Sequence, residues 1–214
     1  MRVVLVVAHD RQTKPPPATR TPNSRKRPVP ITDTDIRAAV TTHLDHHPGD
    51  AAALTEPLTL LGQGTDFASR RTFPMHVTVG ALLVRRNTHI LLIDHRAYGI
   101  KLQPGGHLEP TDTSLTDAAL RELIEETGVD RHKITLASTI PAYVEYGAVP
   151  ARPSKDEPPH FHLDIGYTFT TIDGEIGRLQ DVEVTGASWH TLADAEQQLG
   201  RRITRAIGAP ARSG

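Results

Sequence analysis

Apolar and polar residues follow three rhythms along this chain. Residues 76–84, His-Val-Thr-Val-Gly-Ala-Leu-Leu-Val, form an almost unbroken apolar run rich in β-branched side chains. Such a run predicts a strand buried on both faces. Arg-Asn-Thr at 86–88 predicts a turn, and His-Ile-Leu-Leu-Ile at 89–93 returns as the second strand of a hairpin. At 114–127 the apolar spacing changes to that of an amphipathic helix. Further strands are expected over 133–144, 160–172 and 185–190. A C-terminal helix is expected over 193–207, with Leu199, Ile203 and Ile207 at helical spacing. Upstream, Thr32 or Asp33 can cap a helix through Ile36, Ala39, Val40 and Leu44, ending near His47-Pro48-Gly49. A second short helix is expected over 51–61. Strands that precede, enclose and follow helices define a mixed α/β class.

The ends of the chain differ in texture. Residues 11–30 carry Pro15-Pro16-Pro17 and many Thr, Ser, Arg and Lys, with few apolar side chains to offset the entropy of ordering. Residues 1–30 are read as a flexible, basic, Pro-rich tail, with seven basic residues against one acidic one. Residues 31–74 form a helical extension, and the main domain spans 75–214. Net charge over the whole chain is -1, so the part outside the tail is mildly acidic. That balance makes nucleic acid an unlikely partner, and 4% aromatic residues are too few for several base-stacking platforms. Cysteine is absent, which excludes disulfides, zinc-thiolate sites and a cysteine nucleophile. No segment reaches the ~18–20 apolar residues of a membrane span. The short run Val3–Ala8 is too brief for a secretory leader, so a cytoplasmic protein is expected. His43, His46 and His47 are read as a polar helix end rather than a metal site.

Chemistry concentrates at 104–129. Pro104-Gly105-Gly106 predicts a tight loop whose backbone can approach a ligand closely, and a glycine carbonyl can serve as an oxygen ligand. Ser114 with Asp117 three residues on begins a capped helix, and Gly128 ends it. At about 100° per residue, Glu122, Glu125 and Glu126 share an arc of roughly 100°, beside the core-facing arc of Ala119, Leu120, Leu123 and Ile124. Crowded carboxylates repel. A divalent cation relieves the conflict, and an all-oxygen donor set suits Mg²⁺ or Mn²⁺. Because Mg²⁺ commonly completes its shell with water and substrate phosphate, the pattern points to a phosphorylated substrate.

At these residues the chain resembles the Nudix hydrolase family, also called MutT-like pyrophosphohydrolases. The family box starts on Gly106 and ends on Arg121-Glu122-Leu123-Ile124-Glu125-Glu126-Thr127-Gly128-Val129, a span of 24 residues. Two departures stand out. Asp112 occupies the place of an early glutamate, and one extra residue separates it from Arg121. The resemblance implies an α/β/α sandwich around a mixed sheet, hydrolysis of a diphosphate linked to another moiety, and Mg²⁺, with Mn²⁺ as a substitute. It further implies that Glu122, Glu125 and Glu126 bind metal and that one of them assists deprotonation of water. The Gly105 carbonyl is the implied additional ligand, and Arg121 orients the glutamates, with the early acid bracing it.

Specificity is expected outside the box. His160, His162 and Asp164 alternate along one strand and share a side. They can contact phosphates or bases, or complete the metal shell. His107 beside the glycines is expected near the same pocket. Lys101 and Gln103 either face that pocket and meet phosphate or serve the framework alone. Glu183, with Asp181 as its competitor, lies where many Nudix proteins place a further acid. Trp189 is expected in the core, and the Pro-rich stretch 146–159 as a lid or substrate loop. The expected partner is a small-molecule diphosphate or nucleotide; a homodimer is left open. The rival reading is a non-catalytic nucleotide-binding regulatory module, against which the intact glutamates argue.

Overall fold

The computed structural model describes residues 30–95, 99–153, 156–179 and 184–208. The basic tail, Pro30 apart, therefore lies outside the described residues, as do Asp181 and Glu183.

Two helices precede the sheet, α1 (Asp33–His46) and α2 (Thr55–Leu61). Thr32 caps α1 through a full capping box with Asp35, which satisfies backbone N–H groups at the helix start. The second helix is shorter than the pattern over 51–61 suggested: a 3₁₀ turn at 48–50 continues as turns over 51–54, and α2 starts at Thr55. The strands follow: β1 (Met75–Arg85), β2 (His89–His95), β3 (Ile100–Leu102) and β4 (Gly105–His107). Helix α3 (Leu115–Thr127) comes next, then β5 (Thr135–Leu136), β6 (Tyr143–Val149), β7 (His160–Thr171) and β8 (Val184–Thr191). Helices α4 (Leu192–Leu199) and α5 (Arg201–Gly208) end the described chain.

These strands build one mixed eight-stranded sheet. β1 runs parallel to β7 along its whole length. On its other side β1 pairs with β2 at its C-terminal end and with β4 near its start. This change of partner opens the sheet beside β4. The double burial expected of β1 holds, since every residue from Met75 to Val84 is buried. Its odd-numbered residues Val77, Val79, Ala81 and Leu83 join α1, α2 and the apolar face of α3 in one core. Leu82 joins Ile90, Leu92, Tyr143, Ala195 and Ile203 in a second core under α4 and α5. The layers are thus α/β/α, and burial of each such Val or Leu side chain is worth about 1.5–3 kcal/mol. Ile36, Val40, Leu54 and Leu61 belong to the first core, so the N-terminal helices share the core of the sheet.

Three expectations need revision. The strand read over 133–144 is two strands, separated by a turn around Ser138–Pro141; proline cannot donate to a ladder. The helix read over 193–207 breaks at Gly200, whose φ of +67° is left-handed. His43 is not part of an exposed polar end: it is fully buried, with Nε2 2.9 Å from Asp50 Oδ2 and Nδ1 3.1 Å from the Pro141 carbonyl. Trp189 packs against the core only partly buried, donates its indole N–H to the Gly174 carbonyl at 3.1 Å, and carries Arg85 over its ring.

Candidate active site

Helix α3 delivers the carboxylates. Ser114 accepts the Asp117 N–H at 3.1 Å, and Gly128 closes the helix at φ +64°, a conformation that favours glycine. Ala119, Leu120 and Leu123 are buried and Ile124 packs against the same core, which sets the rotation of the helix. That rotation turns Glu122 and Glu125 into a cavity of ≈ 1360 Å³ beside β4.

Arg121 organises the acids. Its Nε and Nη2 donate to both oxygens of Asp112 at 3.0 Å each. Nη2 also donates to the His107 carbonyl at 2.9 Å, while Nη1 donates to Glu122 at 2.9 Å and to Glu125 at 3.0 Å. The planar fork of a guanidinium suits such paired acceptors. Asp112 is itself anchored, accepting the Glu109 N–H at 2.7 Å. The shorter acid with its extra residue thus still grips the arginine. Burial works against the guanidinium charge, but Asp112 and Glu122 outweigh it and raise the Arg121 pKa further, so the side chain stays cationic.

The double glycine is a close-approach device. A Cβ on Gly106 would lie 2.6 Å from a Glu122 oxygen, and one on Gly105 would lie 2.4 Å from the Val79 carbonyl. The Gly105 N–H donates to Glu126 at 2.9 Å, and Glu126 is only 1% exposed. Glu126 therefore sits beneath the loop, whereas Glu122 and Glu125 line the cavity. One guanidinium meets three carboxylates here, Asp112, Glu122 and Glu125, and Glu126 adds a fourth acid beneath the loop. That excess of oxygen donors and negative charge fits a hard divalent cation.

The opposite side of β4 is different. Strand alternation turns His107 away from Glu122 toward the β1 and β7 face that holds His76, Thr78, His162 and Asp164. His107, His162 and Asp164 line the cavity. His160 shares their face as expected but is 3% exposed and lies behind them. His76 was not singled out from the sequence; its place inside an apolar strand concealed it. Burial pushes His76 down to about 4, with His160 adding to the effect. Burial also pushes His107 and His162 down to about 3, so these rings are neutral at pH 7.

Further along this face, Asp164 accepts Thr78 Oγ1 at 3.1 Å and Tyr143 Oη at 3.0 Å. Gln103 donates to Tyr143 Oη at 2.8 Å and accepts from Arg202 at 2.9 Å. Burial raises the Asp164 pKa, against the pull of Arg202 and the two hydroxyls. Gln103 lines the cavity, but this network gives it a framework role as well. Lys101 is not brought to the site. It pairs with Asp94 at 2.5 Å and faces a separate, smaller cavity with His95, Gly99 and Thr185. Arg70, Arg71 and Arg152, which the sequence had not suggested, line the main cavity. They come from segments without a motif, and the fold alone collects them.

The model of the NUDIX domain matches residues 74–207, and the chain belongs to the Nudix hydrolase family, enzymes that act on phosphoric anhydride bonds. Among curated proteins, none matches. Solved structures resembling it include a C. elegans Ap4A hydrolase binary complex, 18% identical over 60% of this chain and 93% of that one, with a TM-score of 0.47. A MutT Nudix hydrolase from Burkholderia pseudomallei is 23% identical over 62% of this chain and 95% of its own, with a TM-score of 0.44. An ADP-ribose pyrophosphatase from Streptococcus suis is 18% identical over 64% and 92%, with a TM-score of 0.43. Among the described residues, no helix is long and apolar enough to cross a membrane.

Proposed function

We propose that this protein is a Mg²⁺-dependent pyrophosphohydrolase that cleaves a nucleoside diphosphate linked to a further group, or a nucleoside triphosphate. The observation that carries this reading is the two-sided wall of one cavity: Glu122 and Glu125 on α3 at one side, Arg70, Arg71 and Arg152 at another. An acidic wall suits a cation and a basic wall suits phosphate oxygens, and a polyphosphate chelating a divalent ion presents both.

In this reading Glu122, Glu125, Glu126 and the Gly105 carbonyl hold the ion, and Mn²⁺ can replace Mg²⁺. When bound, a divalent ion neutralises phosphate charge and lowers the pKa of a coordinated water. Arg121 keeps Glu122 and Glu125 in register by engaging one oxygen of each. A carboxylate facing the cavity accepts the proton of the attacking water. The water oxygen bonds to phosphorus, the P–O–P bridge breaks, and the bridging oxygen leaves on the second phosphate. The arginines hold the non-reacting oxygens, which is the positioning and charge stabilisation that phosphoryl transfer chiefly requires. Residues 31–74 act as an integral part of this domain, since their apolar side chains lie in the same core as β1.

The test is a panel of nucleoside triphosphates, ADP-ribose, dinucleoside polyphosphates, sugar nucleotides and coenzyme A, with products identified by mass. Cleavage at a phosphoric anhydride in Mg²⁺ and its loss in EDTA are expected. No anhydride cleavage of any member, with either Mg²⁺ or Mn²⁺, would contradict the reading.

A further inference from the structure

Four imidazoles meet where β1, β4 and β7 lie side by side. Parallel pairing sets His76 next to His162, and alternation along β7 puts His160 on the same face. Antiparallel pairing of β4 with β1 brings His107 opposite Thr78, again on that face. We propose that His76, His107, His160 and His162 form a binding site for one first-row transition-metal ion of Zn²⁺ type, separate from the carboxylates of α3.

The distances support it. His76 Nε2 and His107 Nε2 are 3.2 Å apart, and so are His160 Nε2 and His162 Nε2. A tetrahedral ion with Zn–N bonds of about 2.0–2.1 Å sets its nitrogens about 3.3 Å apart. Each close pair therefore matches one edge of a coordination tetrahedron. The ligand nitrogens of His76, His160 and His162 all lie within 4.8 Å of one another, so these three face a common point, and His107 adjoins it through His76.

Tautomer logic agrees. His160 Nδ1 lies 2.7 Å from the Pro158 carbonyl, which can only accept, so this nitrogen carries the proton. The neutral ring then presents a lone pair at Nε2, toward His162. Metal-bound histidines commonly hold their second nitrogen in this way. Burial depresses the pKa values of His76, His107 and His162, and a neutral imidazole is the ligand form.

Access and selectivity also follow. His76 is fully buried and His160 is 3% exposed, while His107 and His162 line the cavity. An ion enters from the cavity and is held from beneath. Nitrogen donors suit Zn²⁺, Co²⁺ or Ni²⁺, whereas Mg²⁺ prefers the oxygens of α3. Gly106 and His107 face opposite ways on β4, so the two sites share one strand without sharing ligands. Bound there, the ion clamps three strands at the mouth of the cavity.

The full chain is stripped with a chelator and dialysed against Zn²⁺ in excess Mg²⁺, and its metal content and melting midpoint are measured. One retained Zn²⁺ per chain and a higher midpoint are expected. His107→Gln and His162→Gln, chosen because these rings reach the cavity, each weaken Zn²⁺ binding by more than ~100-fold, beyond the ~10–100-fold effect of losing a supporting residue. The Glu125→Gln, Glu126→Gln double variant retains the ion. Circular dichroism checks that each variant is folded. Absence of retained Zn²⁺, unchanged binding in both histidine variants, or loss of the ion in the glutamate variant would overturn the proposal. None of these readouts depends on turnover, so the fate of the hydrolase reading does not decide this one.

Discussion

The cavity beside β4 has two walls built on opposite principles. On the α3 side, one guanidinium holds Asp112, Glu122 and Glu125 while the Gly105 N–H holds Glu126, and the local charge is strongly negative. On the β1–β7 face, neutral imidazoles crowd together under depressed pKa values, and their lone pairs rather than their charge are the resource. The first wall is hard and oxygen-rich, the second borderline and nitrogen-rich. One strand of three residues divides them, and its alternation alone decides which side chain meets which wall. Two chemistries can therefore sit within one cavity without exchanging ligands.

The largest expected effect tests the acidic wall. Glu125→Gln and Glu126→Gln each lower turnover by at least ~10²-fold, the range seen when a principal electrostatic group is lost. Steady-state rates with a folded-state check measure this. If the walls are independent, neither substitution alters Zn²⁺ retention.

Next is the brace. Asp112→Ala removes two hydrogen bonds from Arg121. Misplacement of the glutamates by a fraction of an ångström then lowers kcat by about 10-fold or more. Asp112→Asn, which keeps one acceptor, falls between. A variant with full kcat would mean that the Asp112 contact does not orient the acids.

The framework behind the second wall gives a smaller, purely structural effect. A Cβ on Gly166 would lie 1.9 Å from the Tyr143 ring. Gly166→Ala therefore costs about 1–3 kcal/mol in denaturant unfolding, as overpacking does. Tyr143→Phe leaves Asp164 and Gln103 each short of a partner and costs a similar ~1–3 kcal/mol.

The smallest effect lies away from both walls. Arg205 first, with His43 assisting, lowers the Asp50 pKa from 3.8 to about 2. A carboxylate depressed on folding contributes stability above its unfolded value and loses it as pH falls through the folded one. The melting midpoint is thus expected to drop between pH 3.8 and about 2, and Asp50→Asn flattens that part of the curve.

The two walls also differ in how much of them the chain discloses. The acidic wall is local: a capped helix, carboxylates three and four apart, and a glycine stop. Reading 104–129 located the helix to within a residue of its observed Leu115–Thr127. The imidazole wall is non-local. His76 is 31 residues from His107, and strand register joins them. Alternation exposed His160, His162 and Asp164 as a set, but His76 lay hidden in an apolar run. The burial of His43 is hidden for the same reason, because its partner Pro141 is 98 residues away. Lys101 had the right spacing to accompany Gln103, yet the neighbouring strand offered Asp94 first. The apolar spacing through Leu199 and Ile203 runs on across Gly200, whose left-handed φ ends α4.

In the proposed function the carboxylates of α3 direct water onto phosphorus. Hydrolysis in water enriched in heavy oxygen tests it most directly, with the wild-type chain and Glu125→Gln compared in Mg²⁺. One labelled oxygen is expected in a phosphate product of the wild-type reaction, and the same label forms at least ~10²-fold more slowly in the variant. Label appearing elsewhere than on phosphate, or at equal rates in both proteins, would contradict it.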